Sequence, residues 1–223
     1  LSLYTALAML LNGTDGKTYT QLQNTLAEDI GASELNTFVH YLNSRISFLN
    51  SDKGNVNSAN SLWIQDSFSV KSQFLQTVTN YYDAEVFRTV LSQTEGADKI
   101  NEWIKDNTDG KIDSVINNLT PETAMVLVNT LLFDDEWITP YTDADIKDGV
   151  FKGVKGDETT SFMTSNEMLI ESTDAKGFVK NFANTPCKFV AILPNENITL
   201  EEYLISLSGA KLNTIMNSLN GTN

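Results

Sequence analysis

Cations, sulfur and imidazole are what this sequence has least of. Its 223 residues hold 15 Lys and Arg against 29 Asp and Glu, a formal net charge of −14. Nucleic acids and anionic bilayers are bound mainly through clustered cations, so neither is an expected partner. A single cysteine, Cys187, excludes an internal disulfide framework and a cysteine-based zinc site, while leaving the cellular compartment open. Ser-His-Asp and Cys-His systems need a histidine, and the single one, His40, lies one position from the buried stripe of a surface helix. A solvated or half-buried structural residue accounts for it. Cys187 begins an apolar strand without a nearby cation or helix N-terminus, and reads as an inert buried or edge thiol. The most apolar stretch, Leu1 to Leu11, is too short to cross a bilayer and has no basic residue before it. Glycine-rich loops of phosphate-cradling spacing, internal repeats and low-complexity linkers are also missing, and no cofactor is expected.

At 41% hydrophobic and 20% charged residues, the composition is that of a folded protein, and a chain this long buries roughly 70% of its extended surface. Leu1 to Leu11 is expected as a buried helix with Leu3, Leu7, Leu10 and Leu11 along one face. Thr18 and Gln21 are spaced as a capping box for a second helix bearing Tyr19, Leu22 and Leu26. A longer helix follows Gly31, with Leu35, Phe38, Val39, Leu42, Ile46 and Leu49 on one stripe. A polar loop over 50–57 leads to a strand at Ala59 to Ile64. Ser69 is a candidate N-cap for a helix carrying Val70, Phe74, Val78, Tyr81 and Tyr82. A strand at Val86 to Leu91 precedes a helix that turns Ala97, Ile100, Trp103 and Ile104 inward, ending at the Asp109-Gly110 turn. Ala124 to Phe133 is a nearly continuous apolar run broken mainly by Asn129 and Thr130, as expected of a strand in the middle of a sheet. Strands then dominate: Val150-Phe151, Thr159 to Met163, Met168 to Ile170, Phe178 to Phe182 and Lys188 to Leu193. Thr199 and Glu202 form a capping box for closing helices with Leu200, Tyr203, Leu204 and Leu207, then Leu212, Ile215, Met216 and Leu219. Helices early and strands late favour an α+β fold.

The plentiful carboxylates leave open a glycosidase-like acid pair among Asp134, Asp135, Glu136, Asp143 and Asp145, but in so acidic a chain solvated surface charge is the better account of them. Asp143 to Gly149 fails as a calcium loop, because Lys147 occupies a ligand position and Gly149 comes one residue late. Glycosylation sequons occur at Asn12, Asn118, Asn197 and Asn220, as chance provides in an Asn- and Thr-rich chain.

Several stretches together resemble the serpins, a family of metastable proteins that are mostly serine-protease inhibitors. Leu1-Ser2-Leu3 through Ala6-Leu7-Ala8-Met9-Leu10, with Gly13 and Thr18, is similar to the family's buried second helix. Asn60-Ser61-Leu62-Trp63 resembles the second strand of its large sheet. Ile100-Asn101-Glu102-Trp103-Ile104, followed by Thr108-Asp109-Gly110-Lys111-Ile112, resembles the helix lying across that sheet. Leu127-Val128-Asn129-Thr130-Leu131-Leu132-Phe133, with Trp137 four residues on, resembles the third strand. Asp134-Asp135 and Tyr141 depart from the family's usual Lys-Gly and Phe.

The resemblance implies a multi-helix domain over 1–223 with a large central sheet and smaller accessory sheets. It also implies that the chain lacks the first helix and everything from the later strands of the large sheet onward, including the bait loop. The implied activity is suicide inhibition of a serine protease, or of a cysteine protease, outside the cell or at its surface. A cleaved bait loop would insert beside the third strand, and no residue would act as an enzyme's catalyst. Val126, Val128, Thr130 and Leu132 would line the insertion slot, Ser2 and Asn129 would control its opening, and Trp137 would stand at its entrance. Asn129 also fits a static role satisfying its neighbours. A non-inhibitory serpin-fold binding protein and an acidic two-carboxylate hydrolase are the alternatives.

Overall fold

The structure is a computed structural model describing residues 1–27 and 29–218. It divides into two compact units, Leu1–Asp134 and Asp135–Asn223. The first is built on a three-stranded sheet of order β2-β1-β3, with β1 at Asn55–Gln65, β2 at Glu85–Thr89 and β3 at Met125–Asp134. β1 runs parallel to β2 from Ser61↔Glu85 to Gln65↔Thr89, and antiparallel to β3 from Asn55↔Asp134 to Ile64↔Met125. A parallel pair needs a crossover, which helix α4 (Ser72–Tyr82) supplies.

Side-chain alternation sends each strand into two cores. On one face, Leu62 and Ile64 of β1 and Met125 and Leu127 of β3 meet α4 and the helices α1 (Ser2–Leu11) and α3 (Ala32–Ser47), through Ala8, Met9, Leu35, Val39, Phe74 and Val78. On the other, Trp63, Val126 and Val128 meet Ile100, Trp103 and Ile104 of α5 (Thr94–Asp106). The nearly unbroken apolar run of β3 therefore reflects cover on both faces. Among the described residues β3 pairs with β1 alone. Continuous hydrophobicity reports what lies above and below a strand, whereas edge pairing is made by backbone groups that the residue pattern does not encode.

Other expectations shift locally. α1 buries Thr5, Ala8, Met9 and Leu11, while Leu3 is 72% exposed. On a helix that is apolar nearly all round, periodicity cannot choose a face. Helix α2 spans Gly16–Leu26 and is capped by Asp15, whose carboxylate accepts the Gly16 N–H at 2.7 Å. Thr18 thus lies inside the helix, and the Thr18–Gln21 box does not form. In α3, Phe38 is 46% exposed, and the buried stripe runs through Leu35, Asn36, Val39 and Ile46 instead. β1 begins at Asn55, shortening the expected loop. α4 begins at Ser72 with Lys71 as N-cap, so Ser69 does not cap it. In α5, Ala97, Ile100, Trp103 and Ile104 are all buried as expected. The turn after α5 takes left-handed backbone at Asp109 and Gly110, φ 49° and 71°. Aspartate tolerates that region better than most residues, and here its carboxylate accepts the Asn55 amide at 2.8 Å.

The second unit contains the hairpin β4–β5 (Ile146–Gly153 and Gly156–Met163) and an antiparallel sheet of order β6-β7-β8 (Met168–Glu171, Ala175–Asn181, Lys188–Pro194). Each expected strand is present, although β7 ends at Asn181 and Phe182 forms only an isolated bridge. The Thr199–Glu202 capping box starts α6 (Leu200–Ser206). Helix α7 (Gly209–Ser218) places Ile215 against Ile170 and Val179, while Leu219 lies outside the described residues.

Gly177 of β7 admits no side chain, since a Cβ there would stand 2.1 Å from the Ala191 carbonyl oxygen. Gly177→Ala is expected to destabilise the second unit by about 3 kcal/mol, at the upper end of overpacking costs. Urea unfolding followed by far-UV circular dichroism measures it, and an unchanged midpoint would contradict the close packing of β7 on β8.

Candidate functional site

A chain of amides and one phenol runs from β3 into the helical layer. Asn129 and Asn60 face each other in register across β3 and β1. The Asn129 amide donates to Asn60 Oδ1 at 2.8 Å, with Ser58 Oγ and the Ala59 carbonyl farther off at 3.4 Å. Asn60 is 3% exposed, and its amide donates to the Tyr82 carbonyl at 2.7 Å. The fully buried Tyr82 hydroxyl donates to Asn36 Oδ1 at 2.6 Å. Asn36 and Asn12 exchange reciprocal amide bonds of 2.9 Å, and Asn12 also donates to the Ala8 carbonyl at 2.9 Å. Two strands and helices α1, α3 and α4 are thereby tied together. Burial pushes the Tyr82 phenol well above its ordinary pKa, so it stays a donor throughout the working pH range.

Buried polar groups are tolerated when bonded, and each one left unbonded costs about 1–3 kcal/mol. The network satisfies most of its members, yet three buried oxygens at the α1 and β3 positions have no hydrogen-bond partner among the described residues: Thr5 Oγ1, Asn129 Oδ1 and Thr130 Oγ1. Ser2, named from the sequence alongside Asn129, is the half-buried first residue of α1 and has no hydrogen bond to it among the described residues. Val126, Val128, Thr130 and Leu132 share one face of β3, with Val126 and Val128 packed on the α5 core and Thr130 and Leu132 each 5% exposed. Asn60, Tyr82, Asn36 and Asn12 were not singled out from sequence. Asn60 carried a usable signal, since it precedes the apolar run Leu62-Trp63-Ile64 much as Asn129 interrupts its own strand.

Trp137 lies in the second unit. It bridges to Phe182, stacks on that ring at 4.4 Å and 15°, and meets Phe189 edge-on at 5.8 Å. The Lys180 ammonium lies 5.5 Å from the Trp137 ring centre and 4.4 Å from that of Tyr141, within cation–π range. Lys180 also pairs with Glu167, their side chains being 5% and 17% exposed. The bond to Lys180 holds the Glu167 carboxyl below the usual carboxylate range, and Glu167 raises Lys180 in turn.

The other sequence candidates go to structural uses. Asp134 pairs with Lys111 at 2.8 Å, Asp135 accepts the N–H groups of Asn184 and Thr185, and Asp145 closes a capping box with Thr142. His40 is exposed and edge-on to Tyr81, and Cys187 is half-buried. The Asn12 sequon is closed by the amide network, Asn118 and Asn197 are exposed, and Asn220 lies outside the described residues.

Asn60→Ala removes the link between β3 and Tyr82 and orphans both partners. It is expected to cost about 2–4 kcal/mol in urea unfolding; Ser58→Ala, which removes only a 3.4 Å contact, serves as control and should cost under about 1 kcal/mol. For the second unit, Glu167→Gln is expected to lose about 2 kcal/mol at neutral pH, the scale of a hydrogen bond between charged groups. Because the folded Glu167 pKa is depressed, its contribution is present above the unfolded carboxylate pKa and disappears as pH falls through the folded value. The midpoints of parent and variant should converge in acid, and a constant gap down to pH ~2 would contradict the pairing.

Comparisons with known proteins agree on one family. The sequence matches the family model described as Serpin (serine protease inhibitor) over residues 1–223. Leukocyte elastase inhibitor of Xenopus laevis is 33% identical, over 76% of this chain and 46% of its own length. An uncharacterized serpin-like protein of Methanosarcina acetivorans is 25% identical, over 91% of this chain and 51% of its own. Among solved structures, the thermophilic serpin tengpin in its latent state superposes with a TM-score of 0.85 at 36% identity, covering 97% of this chain and 59% of tengpin. The chain spans about half the length of the curated relatives it matches.

Proposed function

Because the chain belongs to the serpin family, we propose that it carries the sheet-opening half of a loop-inserting protease inhibitor. As one serpin-like domain over 1–223, it would belong to a longer protein whose bait loop lies outside these residues. A serine protease, or a cysteine protease, attacks that loop and forms an acyl-enzyme. The cleaved loop then enters the large sheet beside β3 and carries the protease with it. The protein acts outside the cell or at its surface.

One observation carries this reading: β3 is packed on helical layers at both faces, so the side-chain environment along its outer edge does not depend on a neighbouring strand. A strand arriving there finds its side-chain environment already built and needs only to form the backbone ladder. For a ten-residue strand that ladder is worth on the order of 10 kcal/mol, at about 1 kcal/mol per net hydrogen bond. The orphaned oxygens of Thr5, Asn129 and Thr130 add a penalty that rearrangement at this edge could relieve. In this scheme Asn129, bonded to Asn60, holds β3 on β1 while the outer edge changes partners. Ser2 lies on the helix beneath, Val126, Val128, Thr130 and Leu132 present one wall, and Trp137 marks the entrance.

The full-length protein should form a conjugate with a susceptible protease that survives SDS and boiling, and cleavage of its bait loop should raise its thermal midpoint. Electrophoresis against a panel of serine and cysteine proteases, with calorimetry of the cleaved product, measures both. Cleavage without a conjugate and without a gain in stability would overturn inhibition by insertion and leave a binding protein of the same fold.

A further inference from the structure

At the opposite rim of the first unit's sheet, a cleft between β2 and α5 has features that loop insertion does not use. Its floor is aromatic: Trp63 and Phe87 stack at 4.2 Å and 19°, and Trp103 lies beside them, 8% exposed, its indole N–H donating to Glu85 at 2.7 Å. The space above them is about 340 Å³. Two cations stand at the rim, and both are engaged. Arg88 donates to the Phe68 carbonyl at 3.0 Å, and Lys99 pairs with Glu95 at 2.7 Å. Glu102 and Asp106, one helical turn apart on α5 and exposed, form no ion pair among the described residues. A bond to a carbonyl leaves Arg88 charged, and Glu85, Arg88, Glu95, Lys99, Glu102 and Asp106 together sum to 2 − 4 = −2, above ring faces that are themselves negative. Beside the cleft, the outer edge of β2 pairs with no described strand.

We propose that this cleft is a docking site for an extended basic segment of a partner protein. The segment adds to β2 as a further strand, in the manner of edge augmentation. One of its arginine or lysine side chains enters the cleft, laying its apolar stem and cation on the aromatic floor beneath Glu102 and Asp106. The chain's net charge of −14 steers such a segment inward and repels acidic competitors. β1 separates β2 from β3, so the site stands or falls independently of inhibition.

The test uses the intact protein labelled with fluorotryptophan and an acetylated, amidated heptapeptide of alternating arginine and valine. Titration should shift the Trp63 and Trp103 resonances and leave Trp137 in place. Replacing arginine by citrulline, which keeps the shape and removes the charge, should weaken binding about tenfold. The surface variant E102Q/D106N should weaken it about fivefold and flatten its salt dependence. Absence of a shift at millimolar peptide, equal binding of the citrulline peptide, or an equal shift of Trp137 would each overturn the proposal. Binding of arginine amide alone as tightly as the peptide would also overturn it, leaving a cation pocket without strand docking.

Discussion

A sheet enclosed on both faces must satisfy its polar groups from within, and the first unit is organised around that constraint. Helices α1, α3 and α4 cover one face and α5 the other, leaving the far end of β3 open, where Leu131 and Phe133 are each 41% exposed. A polar side chain placed in the middle either finds a protein partner or stays unbonded, as Thr130 Oγ1 does among the described residues. Asn129 finds Asn60, Asn60 finds the Tyr82 backbone, and the Tyr82 phenol reaches the Asn36–Asn12 pair. Specific bonds in a low-dielectric interior define register as well as stability. An asparagine pair opposed across two strands resists the one-residue slip that would turn every apolar side chain to the wrong face.

The same enclosure gives the two rims different characters. Along β3 the flanking side chains are mostly half-buried and apolar, so a new strand would meet a ready-made environment. Along β2 the flank carries an aromatic cleft and carboxylates, and Val86 is 39% exposed. An exposed rim is ordinarily an aggregation hazard that proteins blunt with charge. β2 carries Glu85 and Arg88 within five residues, whereas β3 carries charge only at its end, Asp134. Charge is thus spread along β2 and confined to the end of β3.

In the second unit, polar and aromatic contacts converge on Trp137 and Lys180 instead of on an asparagine. The buried Lys180 ammonium pairs with a carboxylate and lies against two rings, which ties the positions of those groups together. Such an arrangement costs desolvation, and it favours one geometry over looser alternatives. Of the carboxylates that looked like catalytic candidates in the sequence, Asp134 pairs with Lys111, Asp135 holds the Asn184–Thr185 turn and Asp145 caps a short helix.

Much of the fold was legible beforehand, because α5, β1 and the strands of the second unit rest on local periodicity and turn chemistry that neighbouring residues encode. The family resemblance likewise rested on local strings such as Leu127 to Phe133. Helix α1 was visible as a helix but not in its orientation, since a helix apolar all round has no preferred face until its neighbours pack. Asn129 was visible as an anomaly, whereas its partners at Asn60, Tyr82, Asn36 and Asn12 are separated from it by up to 117 positions (129 − 12) and meet only through sheet register and helix packing. Sequence by itself determined which segments are strands and helices and which residues avoid water. Only the tertiary structure decided how β3 pairs with β1 and which side chains meet across them, because strand pairing is made by backbone groups that every residue shares.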